Sequence, residues 1–180
     1  MRLLDGDVEK RIDDSVIGPL RRREYGLAMH SIARVVGDVH ANIPDSRRVS
    51  YGIVYAIRVL SEYLYGRLVQ VDVTILPAAS HMLRASVDAK CRGVSLELLS
   101  FHGVDSFKPV LPLFESAAAS ADWGTREFAQ MFFRRLIRPH PEEAREYLLR
   151  LARSEDANVA PLCRRDAASR PREPVVLSEP

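Results

Sequence analysis

This 180-residue chain is poor in lysine and cysteine, has one tryptophan, and lacks any long uncharged run. Each shortage excludes something. The two cysteines, Cys91 and Cys163, stand far apart with no CxxC spacing. That argues against a zinc site or a disulfide framework and for free thiols in a reducing compartment, so a cytoplasmic protein is expected. The longest uncharged run, Val73 to Leu83, contains Pro77 and His81 and falls well short of the ~20 apolar residues of a membrane span. The N-terminal MRLLDGDVEKRIDD has no apolar core, so no secretory signal is read there. There is no glycine-rich phosphate loop, no HExxH, no GxSxG and no kinase signature. No metal and no cofactor are therefore expected. Three lysines face 23 arginines. Arginine's planar fork suits phosphate, although GC-rich coding gives the same ratio. A net charge of +2 neither demands nor forbids nucleic acid.

What is present is helical periodicity. Apolar residues make up 47% of the chain, enough for a core. The organising stretch is Ser106 to Val159, which divides into three helix-length pieces. Asp122 stands as N-cap of the second piece, and Pro139 ends it. Pro141 opens the third, with Glu142 and Glu143 at its positive end. Phe128, Met131, Phe132, Leu136 and Ile137 form one apolar face, and Tyr147, Leu148 and Leu151 another. Ser120-Ala-Asp122 returns as Ser154-Glu-Asp156, 34 positions on (154 − 120), and the same offset pairs Phe114 with Leu148 and Ala118 with Ala152. Such a period built from two helices is the mark of an α-solenoid. The expectation is an all-α fold, an α-solenoid of HEAT-like helical pairs over 1–159, followed by an irregular tail over 160–180.

Upstream, Val8 to Val16 reads as a short amphipathic segment closed by Gly18-Pro19. The run Arg21-Arg22-Arg23 is read as a solvated helix start or loop, with a phosphate contact as the less favoured reading. Glu24 to His40 reads as a helix with Leu27, Ile32, Val35, Val36 and Val39 along one side. His30 and His40 lack metal-pair spacing. A turn at Asn42 to Ser46 precedes a long helix from Ser50 to about Val71. Its tyrosines are read as core residues with hydroxyls at the rim. Val69 to Leu76 is strand-like in propensity, but helical neighbours favour a helix end and a connection. Pro77 to Ala89 and Gly93 to His102 make a further pair, with Gly103 at the helix end.

Trp123 and Glu127 lie four apart near a helix start, which stacks indole and carboxylate on one face. Arg126, Arg134, Arg135 and Arg138 share that helix. An aromatic beside a carboxylate attracts a cationic base, and arginines hold phosphates. The structural reading of the same residues is a helix dipole partner and a tryptophan packed between repeats. The two remain open on the residues alone.

The run Asp122 to Val159 resembles the HEAT-like-repeat DNA glycosylases of bacterial alkylation repair. The likeness lies in Thr125-Arg-Glu127-Phe128-Ala129-Gln-Met-Phe132, then His140-Pro141, then Asp156-Ala-Asn158-Val159. The resemblance implies a monomeric, metal-free hydrolase that takes duplex DNA on a concave basic face and releases cationic N-alkylated bases. It implies that Glu127 is the catalytic carboxylate, that Trp123 lies against the lesion, and that Arg126, Arg134, Arg135 and Arg138 bind DNA. The family carries a second catalytic or phosphate-binding side chain in its next repeat. Here that position, 35 residues after Glu127, holds Leu162. From Ala160 the likeness stops, and the Ala-, Arg- and Pro-containing tail has the composition that a shifted reading frame in GC-rich coding produces. On this reading the chain is a truncated relative. The competing expectation is a non-enzymatic α-solenoid adaptor that binds a protein or DNA.

Overall fold

The computed structural model describes Leu4 and residues 6–43 and 45–153, except the side chains of 45–51 and Ala152. The expectations for the side chains of Tyr51 and Ala152, for Ser154 to Val159, for Leu162 and Cys163, and for the tail at 160–180 lie outside the described residues. Among those residues all regular structure is helical, as the periodicity implied.

The first rod runs through α1 (Gly6–Ile12), a π-helical turn (Asp13–Ile17) and α2 (Gly18–Arg21). Then come α3 (Tyr25–Ala41), α4 (Asp45–Gln70), α5 (Ile75–Ala85), α6 (Ala89–Gly103), α7 (Phe107–Ala118), α8 (Trp123–Ile137) and α9 (Pro141–Ala152). Gly18-Pro19 therefore does not close the first segment. Pro19 has no N–H to give and sits in the first turn of α2, a position where none is needed. The wider π turn just before it lets the rod continue. Asp13, on that turn, takes two bonds from the Arg67 guanidinium at 3.1 and 2.6 Å and one from the Tyr63 hydroxyl at 3.1 Å. This tie fixes the rod to α4 and fits the reading of the tyrosines as core residues with polar rims.

The strand-like Val69 to Leu76 is indeed a helix end and a connection: α4 stops at Gln70 and α5 begins at Ile75. Ile32, Val35, Val36 and Val39 are buried on α3, but Leu27 is 61% exposed. The buried face runs through Ala28, Ile32, Val35, Val36 and Val39, and Leu27 lies about 100° round the helix from Ala28, off that face.

Helix α6 is the centre of the molecule. It packs against α3, α4, α5, α7 and α8, and lies between α4 and α8. Cys91, Val94, Leu96, Leu98 and Leu99 are buried, with Ser95 and Ser100 between them. A helix closed in on all sides shows no single apolar stripe, so apolar and small residues occur around its whole circumference. Two glycines permit the close approach. A Cβ at Gly93 would lie 2.8 Å from Ile57 Cδ1 and 3.0 Å from Phe128 Cδ2. One at Gly103 would meet Val110 at 2.8 Å and Leu136 at 2.9 Å. Gly103 does end its helix, but no described glycine has positive φ. It is there for lack of bulk, not for left-handed backbone freedom.

The helix starts repeat a capping device. Asp122 caps α8 by accepting from Thr125 N at 2.7 Å. Asp88, 34 positions earlier (122 − 88), caps α6 by accepting from Lys90 N at 2.7 Å. The serine two before each aspartate accepts that aspartate's N–H: Ser86 at 3.1 Å and Ser120 at 3.2 Å. The arginine four after each aspartate donates back to the same serine's carbonyl: Arg92 at 2.9 Å and Arg126 at 2.7 Å. The 34-residue period thus has a copy upstream of the one first noticed, Ser86-Val-Asp88. Arg92 also ties the copies together, donating to Thr125 Oγ1 at 2.6 Å and pairing with Asp122 at 3.0 Å.

Replacing Gly93 by leucine should lower unfolding free energy in urea by about 1–3 kcal/mol through overpacking, although leucine's helix propensity is better by roughly 0.8 kcal/mol. A gain in stability would show that α4 and α8 can move apart. Asp122→Ala should cost about 1 kcal/mol as a lost cap. The bonds from Thr125 and the pairing with Arg92 hold the Asp122 carboxyl below its usual range. Its contribution is therefore present above the unfolded carboxylate value and fades as pH falls through the lower folded one. The gap between parent and variant should close in acid.

Candidate nucleic-acid interface

The Asp122 cap sets where α8 begins, and so which way each α8 residue faces. Trp123, Glu127, Met131, Arg134 and Arg138 follow at steps of four, four, three and four, which is one stripe of a helix. Phe128, Ala129, Phe132, Phe133 and Leu136 occupy the opposite side and are buried. Trp123 is 65% exposed at the head of the stripe, and Glu127 is half-buried one turn on. The expected juxtaposition of indole and carboxylate on one face is therefore present.

Met131 and Arg134 of that stripe reach a cavity of about 390 Å³, also lined by Arg58 of α4, Glu97 of α6, and Phe132 and Arg135 of α8. The stripe thus faces the side of the molecule formed by α4, α6 and α8. Arg134 and Arg138 are exposed along it. Arg126 is not on it. It points to the α7–α8 connection, where its Nη1 donates to the carbonyls of Ser120 and Ala121 at 2.7 and 2.9 Å. Arg135 flanks the stripe on the α6 side. Its Nη2 donates to Glu97 Oε1 at 2.5 Å, and its guanidinium carbon lies 4.0 Å from the centre of the Phe101 ring. Phe101 in turn lies against Tyr65 of α4, with ring centres 5.1 Å apart.

Glu97 was not foreseen. Its side chain is 1% exposed, and Arg58 Nε lies 4.0 Å from its Oε1. Its Oε2 has no hydrogen-bond partner among the described residues. The sequence did carry a signal: in Val94-Ser-Leu-Glu97-Leu-Leu one carboxylate interrupts a run with no other charge. Burial raises the Glu97 carboxyl above its usual range, Glu62 adds to this, and Arg135 and Arg58 pull against it.

Other groups are inert or structural. Cys91 is buried and its thiol is pushed up to about 11 by burial, so it is no nucleophile at neutral pH. His140 Nε2 lies 3.0 and 2.8 Å from the carbonyls of Gly103 and Val104, bracing the start of α9 against the end of α6. Among the described residues no three His, Cys, Asp or Glu side chains gather to hold a metal ion. None of the described helices is long and apolar enough to cross a membrane.

A carboxyl raised on folding favours the folded state in acid and costs stability as pH rises through its folded value. Against Glu97→Gln, the parent should therefore lose stability steadily from acid to neutral pH. Denaturant midpoints across that range give the difference. A constant difference would show that folding does not shift the Glu97 carboxyl.

No known protein family, curated protein or solved structure matches this sequence.

Proposed function

We propose that this chain is a DNA alkylation-repair protein of the helical-repeat type. It binds duplex DNA along the face of α4, α6 and α8 and hydrolyses the N-glycosidic bond of cationic N-alkylated purines. The observation that carries this reading is the α8 stripe, where an exposed indole and a carboxylate share one side with Arg134 and Arg138 and adjoin an arginine-lined cavity. The helical-repeat part of the proposal draws on the pairs α3/α4, α5/α6 and α7/α8, with α4, α6 and α8 packed side by side, and on the 34-residue capping repeat.

The chemistry asks little of the protein. An N-alkylated purine already carries positive charge, so it leaves with the C1′–N bond pair as a neutral base without prior protonation. The sugar is left as an oxocarbenium-like cation. The Glu127 carboxylate, held by the α8 backbone, stabilises that charge and orients water. Water adds its oxygen to C1′ and passes its proton to the carboxylate or to solvent. The contribution is preorganised electrostatics. Trp123, one turn back, offers a π face to the cationic base. Arg134 and Arg138 take backbone phosphates. An adaptor for a protein partner would present an apolar stripe on this face; arginines at both ends of the α4–α8 cavity favour phosphate.

Release of base from alkylated duplex DNA should fall by roughly 10²-fold in Glu127→Gln, with duplex affinity retained. Equal rates in parent and variant would remove Glu127 from the reaction. Binding should weaken steeply with salt. In the double variant Arg134→Gln/Arg138→Gln the slope of log affinity on log salt should shrink by about two. Arg135 is left in place because it holds Glu97. An unchanged slope would mean the two arginines face away from DNA.

A further inference from the structure

We infer that the cavity between α4, α6 and α8 is a binding site for a phosphate group, with Arg58, Arg134 and Arg135 on its oxygens and the Glu97 carboxyl at its wall. The inference stands apart from the repair reading, because it assigns a ligand class to Glu97 and its arginines whatever Glu127 does.

Three observations carry it. First, charge: three guanidiniums and one carboxyl line the same cavity, which leaves a positive excess beside the apolar walls of Met131 and Phe132. Low-dielectric walls strengthen the attraction for an anion. Second, preorganisation: Arg135 is fixed on one side by Glu97 Oε1 and on its face by the Phe101 ring. A guanidinium held this way loses little freedom when it takes a phosphate oxygen. Third, the unpartnered carboxyl: Glu97 lines the cavity, its side chain is 1% exposed, and its Oε2 has no hydrogen-bond partner among the described residues. A buried polar atom without a partner is costly, so the site suits a ligand that supplies one.

A phosphate oxygen and an ionised carboxylate are both acceptors, so a proton must lie between them. Burial favours that proton on Glu97. The charged groups that act on Glu97 are Arg135 from α8 and Arg58 and Glu62 from α4. An anion bound beside the Glu97 carboxyl raises its proton affinity further, so binding takes up a proton and weakens as pH rises. The volume of about 390 Å³ is at the small end for ligand pockets and leaves room beside the phosphate for an attached sugar.

Sulfate is the probe for the test, because its charge is fixed from acid to mildly basic pH while its shape matches phosphate. Titration calorimetry on the full chain should show sulfate binding that weakens by roughly tenfold or more between about pH 5 and pH 8. In Glu97→Gln the amide supplies a permanent donor, so the affinity should be nearly flat with pH and exceed the parent's at the upper end. Arg58 is half exposed, and Arg58→Gln should weaken sulfate several-fold at the acid end, with its pH profile moved to higher pH because Arg58 no longer pulls the Glu97 carboxyl down. Absence of sulfate binding in the parent, coincident pH profiles for parent and Glu97→Gln, or unaltered binding in Arg58→Gln would each overturn the inference. A second arm identifies the source of the phosphate. Sulfate that displaces a short duplex with the same pH profile marks the site as one for backbone phosphate. Sulfate that binds as expected without displacing duplex marks it as a site for a free phosphate-bearing molecule. Either result supports the pocket, and the second leaves Glu127 to be judged separately by base release.

Discussion

The structure depends on the enclosure of α6. A helix that touches five others cannot keep a solvent face, so its side chains must be apolar, small, or supplied with partners. Gly93 and Gly103 meet this by absence of bulk, where any Cβ would press on Ile57, Phe128, Val110 or Leu136. Ser95 and Ser100 meet it by donating to the carbonyls of Cys91 and Glu97 within their own helix. Glu97 meets it halfway. One oxygen is taken by Arg135, and the other has no partner among the described residues. Removing a carboxyl from water is expensive, and pairing with arginine offsets part of that cost. A chain selected for stability alone has an easier choice at this position in leucine, which is already common on this helix.

Enclosure of α6 also sets the geometry of the outward face. Because α4 and α8 flank the same helix, Arg58 and Arg134 come to opposite walls of one cavity although 76 positions separate them (134 − 58). Arg92 fixes the phase of the two later helices. It belongs to the capping of α6 and reaches across to Asp122, the cap of α8. The aromatic contacts of Phe133 with Phe107, Phe114 and Tyr147 hold α7 and α9 on the far side of α8, away from this face. The Trp123–Glu127 stripe is thus positioned by its own cap, by Arg92 and by the packing behind it.

Much of the architecture was legible in local pattern. The boundaries at Asp122, Pro139 and Pro141, the apolar positions of α4 and the connection after Gln70 all follow from rules that act within one helix turn. The exposed stripe on α8 was legible too, since helical spacing alone places Trp123 and Glu127 together. The failures have one physical source. Gly18-Pro19 lies within a rod, and Arg126 is occupied by backbone carbonyls, because each outcome turns on neighbours that local spacing does not reveal. The first copy of the capping device, at Ser86 to Arg92, was present in the sequence but carries little apolar signal, so a search by hydrophobic period passes over it.

By itself the sequence determined that this protein is helical, where α3, α8 and α9 begin, and that an indole and a carboxylate share a face; α4 starts at Asp45 rather than Ser50, and α6 at Ala89 rather than Gly93. Periodicity and capping suffice for that, because they concern residues within a turn or two of each other. Only the tertiary structure decided which helix is enclosed. It also decided that Glu97, one glutamate among many in the sequence, is the one buried beside three arginines. Burial and charge pairing are set by residues from α4, α6 and α8 meeting in space, and no spacing along the chain encodes that meeting.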